Sequence, residues 1–244
     1  MGKIDTEQAL EKITAWLREI YGARLQLLIA YGSAAGGNHQ SKHSGINLLA
    51  ILDRLDASTL DVGAPAAKWW KDQGHPPLVM WARDEWNDSA DVFPIEFSDI
   101  AAHHRVLHGE DLFGNIPKYP ELHRLQVEHD LRASILRLRG AYMVHGRDAK
   151  ALEATLLDSV SSFLTLFRHA LTALGEPWEV DKRKVLAAAA QRFQFAAAPL
   201  EEVLQARQSG GRLQGGKLEP LRQLFAQYLA IMMQVERALE ASQP

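Results

Sequence analysis

Residues Leu27–Leu52 read LLIAYGSAAGGNHQSKHSGINLLAIL. The run Leu27–Tyr31 is apolar and ends in Gly32-Ser33; small and polar residues follow, and a second apolar run spans Ile46–Leu52. Short apolar runs bounded by turn residues predict two buried strands joined by a glycine-rich loop. Glycines let such a loop turn tightly and aim backbone N–H groups at an anion.

Working outward, Asp5 and Gln8 open a first predicted helix, with Ala9, Ile13, Trp16, Leu17 and Ile20 at helical spacing up to Tyr21 and Gly22 as its stop. The first strand is expected over Arg24–Tyr31 and the second over Ile46–Leu52. Ala57–Gln73 reads as a helix despite Gly63 and Pro65, and Gly74, Pro76 and Pro77 break the chain. Leu78–Ala82 is expected as a third strand, Phe93–Ser98 as a fourth, and Ile100–Leu107 as a short helix. Gly114, Pro117 and Pro120 mark a boundary between a domain over 1–115 and a second over 116–244.

Beyond Pro120 the pattern is helical throughout. Expected helices are Glu121–Val144, Asp148–Leu174, Asp181–Phe195, Leu200–Arg207 and Lys217–Leu239. Leu152, Leu156, Val160, Phe163, Phe167 and Leu171 form one stripe, and Leu221, Leu224, Phe225, Tyr228, Met232 and Val235 another. The predicted fold class is α+β: a mixed sheet with flanking helices, followed by an all-α bundle.

The Gly32-Ser33 turn and the segment that follows it resemble the nucleotidyltransferase superfamily, which includes DNA polymerase β and the aminoglycoside nucleotidyltransferases. Over most of its length the chain is similar to kanamycin-nucleotidyltransferase-type proteins. The resemblance implies that Gly32, Ser33 and Ala34 hold a nucleotide triphosphate. It also implies an acid-hydrophobic-acid triplet opening the second strand, and a third carboxylate on a later strand, which together hold two Mg²⁺ ions. Here the triplet reads Gly45-Ile46-Asn47, so both acids are absent. Glu96, within Pro94-Ile95-Glu96-Phe97, stands where the third carboxylate is expected and is the remaining candidate metal ligand and catalytic residue.

Nearby acids do not replace the missing pair. Asp53 shares a strand face with Asn47, but at about 3.3 Å per residue it lies roughly 20 Å away. One carboxylate leaves most of the charge of two divalent ions uncompensated. The expectation is therefore an impaired enzyme that acts through nucleotide, small-molecule or partner binding, with Mg²⁺ used only if it is active. The alternative is an active enzyme moving a nucleoside monophosphate from NTP to a hydroxylated acceptor such as an aminoglycoside.

Other features are weaker. His39 with His43 and His104 with His108 have metal-ligand spacing, but no Glu lies between either pair as a zinc-protease helix requires. Arg139 and His145 match an Arg-x5-His pattern like that of helical ribonuclease toxins, a spacing that helix-surface residues reach by chance. Trp69, Trp70, Trp81 and Trp86 suit core packing.

Composition narrows the classes. Hydrophobic residues make up 47% and charged residues 23%, as in globular proteins. Zero cysteines exclude disulfides, thiolate nucleophiles and Cys-type zinc sites. Residues 1–115 hold 10 Lys+Arg against 16 Asp+Glu, net −6, which argues against that half gripping nucleic acid. No apolar run suits a membrane span, and the N-terminus lacks a signal peptide's apolar segment, so a cytoplasmic protein is expected. A homodimer or partner protein, if there is one, is expected to engage the helical domain.

Overall fold

The structure, a computed structural model, describes residues 5–32 and 45–242. The chain divides into two compact units, Met1–Tyr119 and Pro120–Pro244.

In the first unit, helix α1 (Thr6–Tyr21) starts where the Asp5 carboxylate accepts from the Glu7 N–H at 3.3 Å. It leads to strand β1 (Leu25–Tyr31), and the next described strand is β2 (Asn47–Leu52). Helix α2 (Ala57–Asp72) follows and carries Pro65 without a break. Its N-cap is built densely: Asp56 accepts from the Thr59 N–H at 2.8 Å and from the Ser58 and Thr59 hydroxyls, each at 2.7 Å. These hydrogen bonds hold the Asp56 carboxyl well below the usual carboxylate range. Strand β3 (Val79–Ala82) and the short helix α3 (Arg83–Asn87) come next.

The sheet order is β3-β2-β1-β4, with β1 antiparallel to both β2 and β4, and β2 parallel to β3. Both central strands are buried on both faces, which is why they read as unbroken apolar runs. Leu28, Ala30, Leu48 and Ala50 pack with Ile13 and Leu17 of α1 and Trp70 of α2. On the other face Leu27, Ile29, Leu49 and Ile51 pack with Trp86, Phe97, Ile100 and Phe113. Trp70 and Trp86 are core residues, and Trp16, Trp69 and Trp81 are partly buried against the two clusters; Trp86 stacks on Phe97 with ring centroids 4.3 Å apart.

Two predicted elements are exchanged. Residues expected as a fourth strand, Phe93–Ser98, form the start of helix α4 (Pro94–Ala102). Of the expected helix Ile100–Leu107, Ile100–Ala102 is helical as the end of α4, and His104–Leu107 instead begins strand β4 (His104–Gly109). Pro94 at the first helical position presets the helix, and buried Pro94, Phe97 and Ile100 at three-residue spacing continue one face of it. Ile95 and Phe97 alone had suggested alternation; so short a run does not separate the two periods. Strand β4 forms because β1 has a second edge to pair, from Leu27↔Gly109 to Tyr31↔His104. Gly109 has φ +86°, and a β-carbon there would collide with the Gln26 carbonyl, so only glycine fits.

All described residues of the second unit lie in helices or their connections: α5 (Pro120–His145), α6 (Ala149–Ala173), α7 (Lys182–Phe193), α8 (Ala198–Ser209) and α9 (Leu218–Ala241). The two predicted stripes are buried there, from Leu152 to Leu171 on α6 and from Leu221 to Val235 on α9. No helix among the described residues is long and apolar enough to cross a membrane.

Candidate functional site

Strand β1 ends at Tyr31, and Gly32 turns the chain with φ +88°. The Gly32 N–H donates to the His103 carbonyl at 3.2 Å, so the C-terminal end of α4 is tied to this turn. Tyr31 pairs across the sheet with Asn47 of β2 on one side and His104 of β4 on the other. The Asn47 amide lies directly over Gly32: a β-carbon at Gly32 would approach Asn47 Nδ2 to 2.8 Å. Position 47 therefore faces the glycine turn. Ser33 and Ala34, with His39 and His43, lie outside the described residues.

Glu96 is not on a strand. It occupies the first turn of α4, exposed, where a carboxylate complements the helix N-terminus. Burial, and then the negative charge of Glu96, hold the Tyr31 phenol above its ordinary range.

Position 45 is closed. A β-carbon on Gly45 would meet Pro76 Cδ at 2.6 Å, His75 Cα at 2.9 Å and the Gly74 carbonyl at 3.0 Å. The turn Gly74–Pro76 is pinned there by His75, whose Nδ1 accepts from the Ile46 N–H at 3.2 Å and whose ring stacks on Trp70 at 3.9 Å. Asp53 is engaged at the far end of β2, 3.1 Å from Arg24. No group of three His, Cys, Asp or Glu side chains able to hold a metal ion occurs among the described residues. Glu96, Asn47 and a closed position 45 do not fit a two-ion Mg²⁺ site, which needs several charged oxygen ligands.

His104 and His108 fall on strand β4 rather than a helix. At about 3.3 Å per residue they stand roughly 13 Å apart, too far to share a metal. Arg139 and His145 lie six residues apart on α5, on different sides of the helix, and Arg139 turns to Met233 Sδ at 3.3 Å. Two cavities in the first unit lie away from the turn. One of about 680 Å³ is lined by Arg18, Glu19, Leu25 and His108, and one of about 210 Å³ by Arg83, Trp86, Glu110 and Asp111.

A second polar group, in the helical unit, is not signalled by sequence spacing. Lys182, the first residue of α7, is half-buried and donates from Nζ to the Ser161 hydroxyl of α6 at 2.9 Å. Burial, then the positive charges of Arg207 and Arg168, push its pKa down. Arg207 donates to the Leu157 carbonyl and lies 3.8 Å from Asp158; Arg168 lies over the Trp178 ring at 4.7 Å. Lys182 on the Ser161 hydroxyl, with the positive charges of Arg168 and Arg207 acting on it, makes a cationic region suited to an anion such as phosphate. The signal is tertiary: these residues are far apart in the chain.

No family model matches the sequence, and no curated protein matches it. Among solved structures it is similar to spectinomycin adenyltransferase AAD(9) from Enterococcus faecialis, solved with ATP and spectinomycin. The TM-score is 0.62 at 13% identity, covering 97% of this chain and 100% of that one. The chain has a nucleotidyltransferase fold. At that identity the likeness establishes the fold, and activity has to be argued from the side chains.

Proposed function

We propose that this protein binds a nucleotide, or a related phosphorylated small molecule, on a nucleotidyltransferase fold without performing two-metal nucleotidyl transfer. The observation that carries the reading is the pair of positions where the fold's metal carboxylates are expected. Position 47 is a neutral amide lying over Gly32, and position 45 is filled by the Gly74–Pro76 turn.

Without paired carboxylates no divalent ion is held to activate an acceptor hydroxyl or to neutralise a leaving pyrophosphate. What remains is suited to binding. Gly32 turns the chain at the end of a buried strand, where a backbone can approach phosphate oxygens closely, and Ser33 and Ala34 follow it in the sequence. Tyr31 immediately precedes Gly32 and the Asn47 amide lies over it, offering an O–H and an N–H₂. The similar spectinomycin adenyltransferase was solved with ATP, which makes ATP the first ligand to try.

The test is calorimetry with ATP on the natural protein and on Gly32→Val. Binding to the natural protein, lost in a variant that still melts cooperatively, supports the reading. No binding to either, or equal binding to both, contradicts it.

A further inference from the structure

His104 sits next to the residue that holds the glycine turn. Its side chain is 11% exposed, and both ring nitrogens are in contact with oxygens: Nδ1 with the Ile100 carbonyl at 2.8 Å, Nε2 with Asp111 Oδ2 at 3.1 Å. A carbonyl and a carboxylate only accept, so both contacts are hydrogen bonds only when both nitrogens carry protons. The neutral ring makes one of the two and turns a lone pair toward an oxygen at the other.

The second contact locks a connector. The other oxygen of Asp111 accepts from the Phe113 N–H at 2.9 Å, and this bond, followed by the one from His104, holds the Asp111 carboxyl below its usual range. Phe113 packs beside the His104 ring at 4.5 Å and edge-on to Trp86 at 5.0 Å, inside the core beneath α4. The first contact grips the last turn of α4, and the preceding residue, His103, accepts the Gly32 N–H. Imidazole, α4 end and glycine turn are therefore joined in series.

We infer that His104 is a positioning residue for the Gly32 turn, and that its protonation sets how firmly the turn is held. Of the groups around it, Asp111 from the connector is the carboxylate in contact with the ring. Tyr31 from β1 is its cross-strand partner, and the charge of Glu96 of α4 acts on Tyr31. His103 and Asp99 lie on the same end of α4, with the His103 N–H donating to the Asp99 carbonyl at 3.2 Å. Glu110 precedes Asp111, and Arg105 of β4 pairs with Glu7 at 2.8 Å. When the ring loses one proton, one of its two bonds goes, and the Gly32 turn loosens. This rests on reading Gly32 as the ligand turn, but its test needs no ligand.

The experiment is an NMR pH titration of the free protein, following the His104 ring and the Gly32 amide together. In the natural protein the Gly32 amide shift follows the ring with the same midpoint. In Asp111→Ala the ring still titrates, but the Gly32 amide no longer follows it. His104→Gln, which keeps a polar side chain without a titrating proton, abolishes the Gly32 transition. A Gly32 amide that ignores the His104 transition in the natural protein overturns the inference, as does one that follows it undiminished in Asp111→Ala. Either result can be obtained whether or not ATP binds.

Discussion

A β-carbon placed on Gly32 comes within 2.8 Å of the amide nitrogen of Asn47. The residue opening the second strand therefore lies on the turn that ends the first. An acid at position 47 would stand beside whatever that turn binds, and here the position carries no charge.

The two lost acid positions differ in what they tolerate. Gly45→Asp drives a side chain into backbone atoms of Gly74 and His75 and into Pro76, and is expected to cost about 1–3 kcal/mol by overpacking. Asn47→Asp changes almost no volume, but it adds a negative charge near Tyr31, whose pKa the charge of Glu96 already raises. It should be mildly destabilising alone and be relieved by Mg²⁺ or Mn²⁺. Thermal melts of both variants with and without metal check this. Gly45→Asp as stable as the natural protein would contradict the closed position.

Lys182→Met tests the cationic group of the helical unit. Burial and two arginines depress the Lys182 pKa, so the folded state disfavours its charge. That penalty on stability is present below the folded pKa and disappears once pH exceeds the unfolded value. Replacing the amine should therefore raise the melting temperature at neutral pH. It should also weaken binding of inorganic tripolyphosphate about tenfold, or ~1.4 kcal/mol. A variant that melts lower and binds as well would assign Lys182 a purely packing role.

Acid lability has a local source in the α2 cap. Hydrogen bonds from Ser58 and Thr59 lower the Asp56 pKa in the folded state, so its contribution is present above the unfolded value and lost as pH falls. Denaturant midpoints measured from neutral to about pH 3 should fall less steeply for Asp56→Asn than for the natural protein. Identical slopes would remove Asp56 from the explanation.

Gly109 fixes the edge of the sheet. A side chain there strains a φ of +86° and strikes the Gln26 carbonyl, so Gly109→Ala should cost about 2–4 kcal/mol and free β4 from β1. Chemical denaturation, with amide exchange on Ile29 and Val106, reports both effects. Unchanged stability would show that the bulged register between β1 and β4 adapts.

Much of this was legible in the sequence. The strands around Leu28 and Leu49 were readable because both faces are buried, and the bundle was readable because α6 and α9 repeat one apolar stripe for several turns. Ile95–Phe97 and Val106–Leu107 were not, because three or four residues carry no decisive period and the choice was made by Pro94 and by the open edge of β1. That positions 45 and 47 carry Gly and Asn, where the resemblance expects acids, was visible in the sequence. That His75 and Pro76 close the first position was not, since it depends on how a distant turn packs against β2. The same holds for Lys182 with Arg168 and Arg207, and for the hydrogen bonds at both ring nitrogens of His104.

The most direct test of binding without two-metal chemistry is to titrate ATP into the natural protein twice, once with excess Mg²⁺ and once with a chelator. Without carboxylates at positions 45 and 47, the two dissociation constants should agree within about threefold, and no pyrophosphate should appear when spectinomycin or another hydroxylated acceptor is added. Binding that collapses in chelator, or pyrophosphate released with Mg²⁺, would mean that an intact metal site exists and that the protein is an active nucleotidyltransferase.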